Sequence, residues 1–213
     1  AGFREITGRA SGICGNTSNG AWWEQDSADL LLEGPRGSGR TSLAIATVLH
    51  AVLVRSDTVL VLVPSSSKRE SLAKRIARAA SILGVGHIVH VSQLTAADAG
   101  QWQLPHVVDD KEPATANADG PSPSVRSRPH ILVGTLSDFE ETFFSTVPGH
   151  DRLRTVLCSI GLVIVEDIDL FTTHARIHMP FVLAKLRLLL ATEGVGYQTV
   201  VIAPPLADAA RSL

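Results

Sequence analysis

At 213 residues the chain is long enough to bury one sizeable core, and its 45% hydrophobic and 19% charged residues exclude a chain disordered throughout. No apolar run reaches the roughly 18 residues that span a bilayer, and the opening AGFREITGRA lacks the apolar centre of a signal peptide. An intracellular protein, cytoplasmic or nuclear and without membrane contact, is therefore expected. A net charge of -2 offers no overall attraction to nucleic acid, and the two cysteines, Cys14 and Cys158, are too isolated to suggest a disulfide framework or a zinc site.

In chain order, short apolar runs bounded by turn residues alternate with segments of helical period, as in βαβ units around a parallel sheet. Residues 1–28 read as a lead-in, and 29–213 as one α/β domain, a mostly parallel central sheet with helices on both faces. Asp29 to Glu33 (DLLLE) is a short buried strand, followed by a glycine-rich turn and a helix from about Thr41 to Val54. Thr58 to Val63 is the next strand. The run SSSKRESLAKRIARAASILG then supplies a serine cap, apolar positions at Leu72, Ile76, Ala79 and Ala80, and a glycine stop, which predicts a helix with a basic outer face.

His87 to Val91 (HIVHV) is expected as a third strand. From about Ser92 to Pro129 the pattern dissolves into Pro, Ala, Ser, Asp and charge, which predicts a flexible insertion centred on 96–129. Order returns with a strand at His130 to Gly134 and a helix led by Ser137 through Phe144. Leu162 to Val165 (LVIV) is a strand buried on both faces. Pro180 to Ala191 is expected as a helix with proline at its start, ended by Gly194, and Gln198 to Ala203 as the last strand.

Residues Gly34 to Ser42 read GPRGSGRTS between a strand and a helix, the context in which G-x-x-x-x-G-K-[ST] has physical meaning. Gly34, Gly37, Ser38, Gly39, Arg40, Thr41 and Ser42 are the candidate cofactor-binding residues. Glycines let the backbone curl so that successive amides and the helix N-terminus face phosphate oxygens, and the Thr41 hydroxyl would sit on a magnesium ion. Arg40 stands where lysine is expected. A planar guanidinium must either displace the phosphates or swing away from them. The bland alternative is an ordinary glycine-rich turn with Arg36 and Arg40 solvated.

The LVIV strand runs into Glu166-Asp167-Ile168-Asp169, the way a phosphate-loop fold delivers carboxylates beside a metal. With these two motifs in series the chain resembles the first RecA-like domain of superfamily 2 helicases, of the DEAD/DEAH-box type. Gly34 to Thr41 resembles motif I, and VLVPSSSKRESLAKRI, ending at Ile76, resembles motif Ia. HILVGTLSDF (His130 to Phe139) resembles motif Ib, GLVIVEDID (Gly161 to Asp169) motif II, and QTVVIAPPL (Gln198 to Leu206) stands where motif III belongs. The stretch HARIHMPFVLAKLRLLLATEGVGYQTVVIA is most similar to bacterial DNA helicases of the Lhr and MrfA type.

The resemblance implies ATP and magnesium as cofactors, with Thr41 and Glu166 on the metal and Glu166 and Asp167 as the catalytic acids. It implies Pro64, Ser65, Lys68, Arg69 and Thr135 as nucleic-acid contacts, DNA or RNA as partner, and a second RecA-like domain in the same or a partner chain. Three departures bear on hydrolysis: Arg40 in motif I, the acid pair inverted as Glu166-Asp167, and Ala203-Pro204-Pro205 in place of the hydroxyls of motif III. A displacement of about 1 Å at a reacting group costs on the order of 100-fold in rate, so weak or lost ATP hydrolysis is expected. The alternative is a catalytically inactive pseudo-helicase serving as a nucleic-acid-binding or protein-interaction scaffold. Lesser signals are His174 and His178 at helical spacing, and Trp22, Trp23 and Trp102, which read more readily as packing anchors.

Overall fold

The computed structural model describes residues 4–7, 29–95, 130–144 and 156–205, and for residues 4–7 the backbone alone. The strands are β1 (Arg4–Thr7), β2 (Leu30–Glu33), β3 (Thr58–Leu62), β4 (Val91–Gln93), β5 (Ile131–Gly134), β6 (Ile160–Val165) and β7 (Gln198–Ala203). The helices are α1 (Arg40–His50), α2 (Ser66–Ile82), α3 (Leu136–Phe144) and α4 (Thr173–Thr192). The expected insertion 96–129, both Trp22–Trp23 and Trp102, and Cys14 lie outside the described residues.

The strands form a seven-stranded sheet in the order β1-β2-β7-β6-β3-β5-β4. The six from β2 to β4 are parallel, and β1 pairs antiparallel with β2 at the edge, Arg4 opposite Glu33 and Thr7 opposite Leu30. Sequence pattern does not single out β1, because four residues with a charged pair carry too little periodicity. The interior strands are apolar at nearly every position because helices cover both faces. All five residues of β3 are buried, with Val59 and Val61 on one face and Leu60 and Leu62 on the other.

The sheet thus separates two apolar cores. One face packs Ala44, Ile45, Val48 and Leu49 of α1 and Leu72, Ala73, Ile76 and Ala80 of α2 against Val59, Val61, Ile131, Leu162, Ile164 and Val200. The other packs Phe139 and Phe143 of α3 and Met179, Val182, Leu186 and Leu190 of α4 against Leu60, Leu62, Leu132, Val163 and Val165. Burying such side chains contributes roughly 1.5–3 kcal/mol each, which is what orients each helix. No helix among the described residues is long and apolar enough to cross a membrane.

Local chemistry explains the element ends. The Ser65 hydroxyl accepts the Lys68 amide at 3.3 Å and starts α2. At the start of α3 the caps are reciprocal: Thr135 Oγ1 accepts the Asp138 amide at 3.1 Å, while Asp138 Oδ2 accepts the Thr135 amide at 2.9 Å. After His50 the first helix widens into a π-helical turn, Ala51–Arg55, so the expected helix to Val54 continues in altered geometry.

Two expected elements are corrected. The third strand lies at Val91–Gln93, not at His87–Val91. The Ile88 and Val89 amides close a turn onto the Val85 carbonyl, and Ile88 is left half exposed. An edge strand is half-buried and tolerates Ser92 and Gln93, so apolar content misplaces it. The last helix begins at Thr173, not at Pro180, and Thr172 caps it by accepting the Ala175 amide at 3.2 Å. Pro180 therefore stands inside α4. Proline there removes one helix hydrogen bond, a loss of about 3 kcal/mol that the buried stripe of Met179, Val182, Leu186 and Leu190 offsets.

Candidate functional site

The loop after β2 is built to leave backbone donors open. The Gly34 amide is spent on the Ala203 carbonyl at 3.0 Å, extending the β2–β7 pairing, and the Ser38 amide closes a turn onto the Pro35 carbonyl at 3.1 Å. Gly37 and Gly39 adopt φ of 80° and 89°, which side-chain-bearing residues rarely reach, and no atom stands within 4 Å of where a Cβ would be at either. The first intrahelical bond of α1 runs from Leu43 to the Gly39 carbonyl. The amides of Arg40, Thr41 and Ser42 thus form the first turn, with no side-chain cap and no acid within the turn itself. Ser38 Oγ is buried with no hydrogen-bond partner. Uncapped amides at the positive end of a helix dipole favour an oxyanion.

The acids arrive from β6. Its pairing with β3 continues through the Glu166 amide, which donates to the Leu62 carbonyl at 3.0 Å. Asp167 then takes a left-handed conformation, φ 53°, and turns the chain into a short 3₁₀ segment, Ile168–Leu170. Aspartate tolerates this region better than most residues. Although β7 lies between β2 and β6, the loop and the acids meet above the carboxyl ends of the strands.

Arg40 decides how they meet. Its side chain is only 8% exposed and turns toward the acids. Nη2 stands 3.1 Å from Asp167 Oδ1, and Nη1 stands 3.6 Å from Asp169 Oδ1. These are ion pairs without well-aligned hydrogen bonds, since Arg40 Nη1, Asp167 Oδ1 and Asp169 Oδ1 are all buried and unbonded. Lys68 Nζ on α2 donates to the other oxygen, Asp167 Oδ2, at 2.8 Å, and stands 3.9 Å from Glu166 Oε1. Arg36, on the exposed rim, donates to Asp169 Oδ2 at 3.2 Å. Three cationic heads face three carboxylates.

Glu166 is fully buried, and burial pushes its carboxyl above the ordinary carboxylate range. The Thr41 hydroxyl, Lys68 and Arg75 pull it back, and the Asp167 charge adds to the rise. Thr41 is close enough to act on the charge, yet neither Glu166 oxygen has a well-formed hydrogen bond. Asp167 is held between Arg40 and Lys68, one oxygen facing each cation.

The other sequence candidates divide into two groups. Pro64, Ser65 and Lys68 line a shallow open groove of about 360 Å³ with Ser67, Ser71 and Leu170. Arg69 and Thr135 instead belong to an internal network: Arg69 Nη1 donates to Asp138 Oδ2 at 2.6 Å and to the Leu94 carbonyl at 3.4 Å, and Thr135 Oγ1 donates to the same Asp138 oxygen at 2.7 Å. These two residues tie α2 to the start of α3. On the outer face of α2, Lys74 donates to Glu70 at 2.6 Å, and this charged hydrogen bond holds the exposed Glu70 carboxyl below its usual range.

His174 and His178 stack with ring centroids 5.7 Å apart, and His178 Nε2 meets Glu140 Oε1 at 2.8 Å, linking α4 to α3. No group of three His, Cys, Asp or Glu side chains able to hold a metal gathers among the described residues. Cys158 is a half-buried thiol packed on the second core. A more apolar cavity of about 230 Å³, lined by Leu43, Thr47, His50, Arg55, Leu162 and Gln198, opens at the opposite end of the strands, away from the acids.

The two halves of the site fit the expected ligands differently. The loop, with open amides, the Ser38 hydroxyl and bare space at Gly37 and Gly39, suits a polyphosphate. At the acid turn both Asp167 oxygens already face cations of the chain itself, whereas Glu166, expected on magnesium with Thr41, has no well-formed hydrogen bond to either oxygen. What sequence reading missed is this role of Arg40 and Lys68. The only advance signal was the unusual arginine in the loop. No family model and no curated protein matches the chain.

Proposed function

We propose that the chain is the nucleotide-binding, RecA-like domain of a superfamily 2 nucleic-acid helicase or translocase, working with a second RecA-like domain and with ATP hydrolysis weak or lost. The observation that carries the reading is the convergence of Arg40, first residue of α1, with Asp167 in the turn after β6, 3.1 Å apart though remote in sequence. Open amides at a helix start supply phosphate binding, and a strand ending in acids beside them supplies the second half of a nucleotide site. The ordered series of motifs from Gly34 to Ala203 supports the helicase kinship over another phosphate-loop enzyme.

Weak hydrolysis follows from the charge arrangement. A general base must reach the attacking water, and both Asp167 oxygens already face cations of the chain, Arg40 at 3.1 Å and Lys68 at 2.8 Å. Glu166, whose burial favours its protonated form, is too deep and too poorly bonded to orient a water without rearrangement. These same ion pairs favour the second reading, a scaffold that keeps the fold and nucleic-acid contact without turnover. Lys68, Ser65 and Pro64 in the open groove on α2 are the surface such a contact would use.

Calorimetric titration of ATP, with phosphate release measured with and without DNA or RNA, tests both readings. ATP binding with little turnover is expected. Turnover stimulated many-fold by nucleic acid would overturn the loss of hydrolysis, and the absence of ATP binding would leave only the scaffold.

A further inference from the structure

A divalent cation beside a phosphate loop has two jobs: it neutralises the acids at the strand end and it bridges them to the phosphates. In this chain the first job is already done for both aspartates. Asp167 presents one oxygen to Arg40 at 3.1 Å and the other to Lys68 at 2.8 Å, and Asp169 presents one to Arg36 at 3.2 Å and the other to Arg40 at 3.6 Å. Arg40 and Asp167 are buried, so this charge is only weakly screened by water. A metal ion approaching Asp167 would meet two like charges at contact distance, with neither Asp167 oxygen free of them.

We propose that Arg40 and Lys68 form a built-in counter-cation that excludes divalent metal from the Glu166-Asp167-Asp169 turn, so that the loop takes the polyphosphate of a nucleotide without a metal ion. The polyphosphate half rests on the nucleotide reading above; the exclusion half stands on the ion pairs alone. Arg40 is the residue that decides it. Its guanidinium reaches two of the three acids, whereas a lysine at the same position, a compact point charge, could not span both. The imperfect alignment of Arg40 Nη1, left buried without a bonded partner, also gives the guanidinium a reason to engage an incoming phosphate oxygen.

The purified chain is titrated with manganese(II) alone, the free ion being followed by electron paramagnetic resonance, for wild type, Asp167→Asn, Arg40→Met, Lys68→Met and Arg40→Met combined with Asp167→Asn. Wild type is expected to show no specific site. Either Met single variant, checked as folded by circular dichroism, should gain one, tighter by at least about tenfold for removal of one buried positive charge. The double variant should lose it. Lys68 is 28% exposed, so its variant keeps the test alive if Arg40→Met fails to fold. Manganese binding by wild type that Asp167→Asn abolishes would overturn the proposal, as would Met single variants that bind no better than wild type.

In a second arm ATP affinity is compared in magnesium and in EDTA. Equal affinity is expected, and a strict magnesium requirement would overturn the metal-free binding. No ATP binding under either condition would instead sink the nucleotide reading and the metal-free binding built on it, with the manganese titration still deciding the exclusion.

Discussion

The loop at Gly37 to Ser42 and the turn at Glu166 to Asp169 face each other, yet one is left open and the other is closed by the chain itself. In the loop, the first-turn amides have no side-chain cap and no acid within the turn, and nothing stands within 4 Å of where a Cβ would be at the two left-handed glycines. In the turn, each of the two aspartates meets two cations, and polar atoms are buried in ion pairs of indifferent alignment. The difference teaches that attraction for an anion and capacity for a metal are separable, because backbone amides supply the first and side-chain carboxylates the second. One arginine connects the two.

The comparison is broken most severely at Asp167. Asp167→Ala leaves Arg40 and Lys68 without their shared partner, and the loss of one member of a buried pair costs about 3–5 kcal/mol, read as a lower urea midpoint. Arg40→Met with Asp167→Leu removes both charges and should recover much of that loss. On the open side, Gly39→Ala forces a side chain into φ 89°, a cost of about 1–2 kcal/mol in thermal unfolding, together with loss of ATP binding in calorimetry.

Lys68→Met sharpens the contrast within the closed side. Lys68 is partly exposed, so its removal should lower stability by about 1 kcal/mol or less by the same urea measurement, well below the effect at Asp167. The smallest effect has the opposite sign. Because burial raises the Glu166 carboxyl in the folded chain, its contribution to stability is complete in acid, below the range where the unfolded carboxyl ionises, and is lost as pH rises through the folded value. Glu166→Gln should therefore match wild type in acid and become progressively more stable relative to it toward neutrality, seen in urea midpoints collected over roughly pH 4 to 8.

Where sequence and structure agree, the signal was local. The β3 and β6 strands announced themselves as unbroken apolar runs because both faces are covered, and the α2 start was legible because the Ser65 cap acts within four residues. Where they part, a remote contact outweighed a local preference. Pro180 reads as a helix start, but the stripe from Met179 to Leu190 packs strongly enough to carry α4 through it. The β4 strand was misplaced because pairing with Ile131 to Val133 on one side alone holds it, with little apolar pattern to mark it. Within the site the candidates at the loop and the acids come together, while Arg69 reaches Asp138, the capping partner of Thr135, by a contact across the chain that no local motif describes.

By itself the sequence determined the alternation of strands and helices, the glycine loop at a helix start and the acids at a strand end, since each depends on residues within a few positions of one another. Only the tertiary structure decided that β1 closes the sheet edge, that β7 separates β2 from β6, and that Arg40 and Lys68 converge on Asp167. Ion pairing acts through space over a few ångströms, and the chain distance between Arg40, Lys68 and Asp167 carries no information about it until folding of the sheet brings the three together.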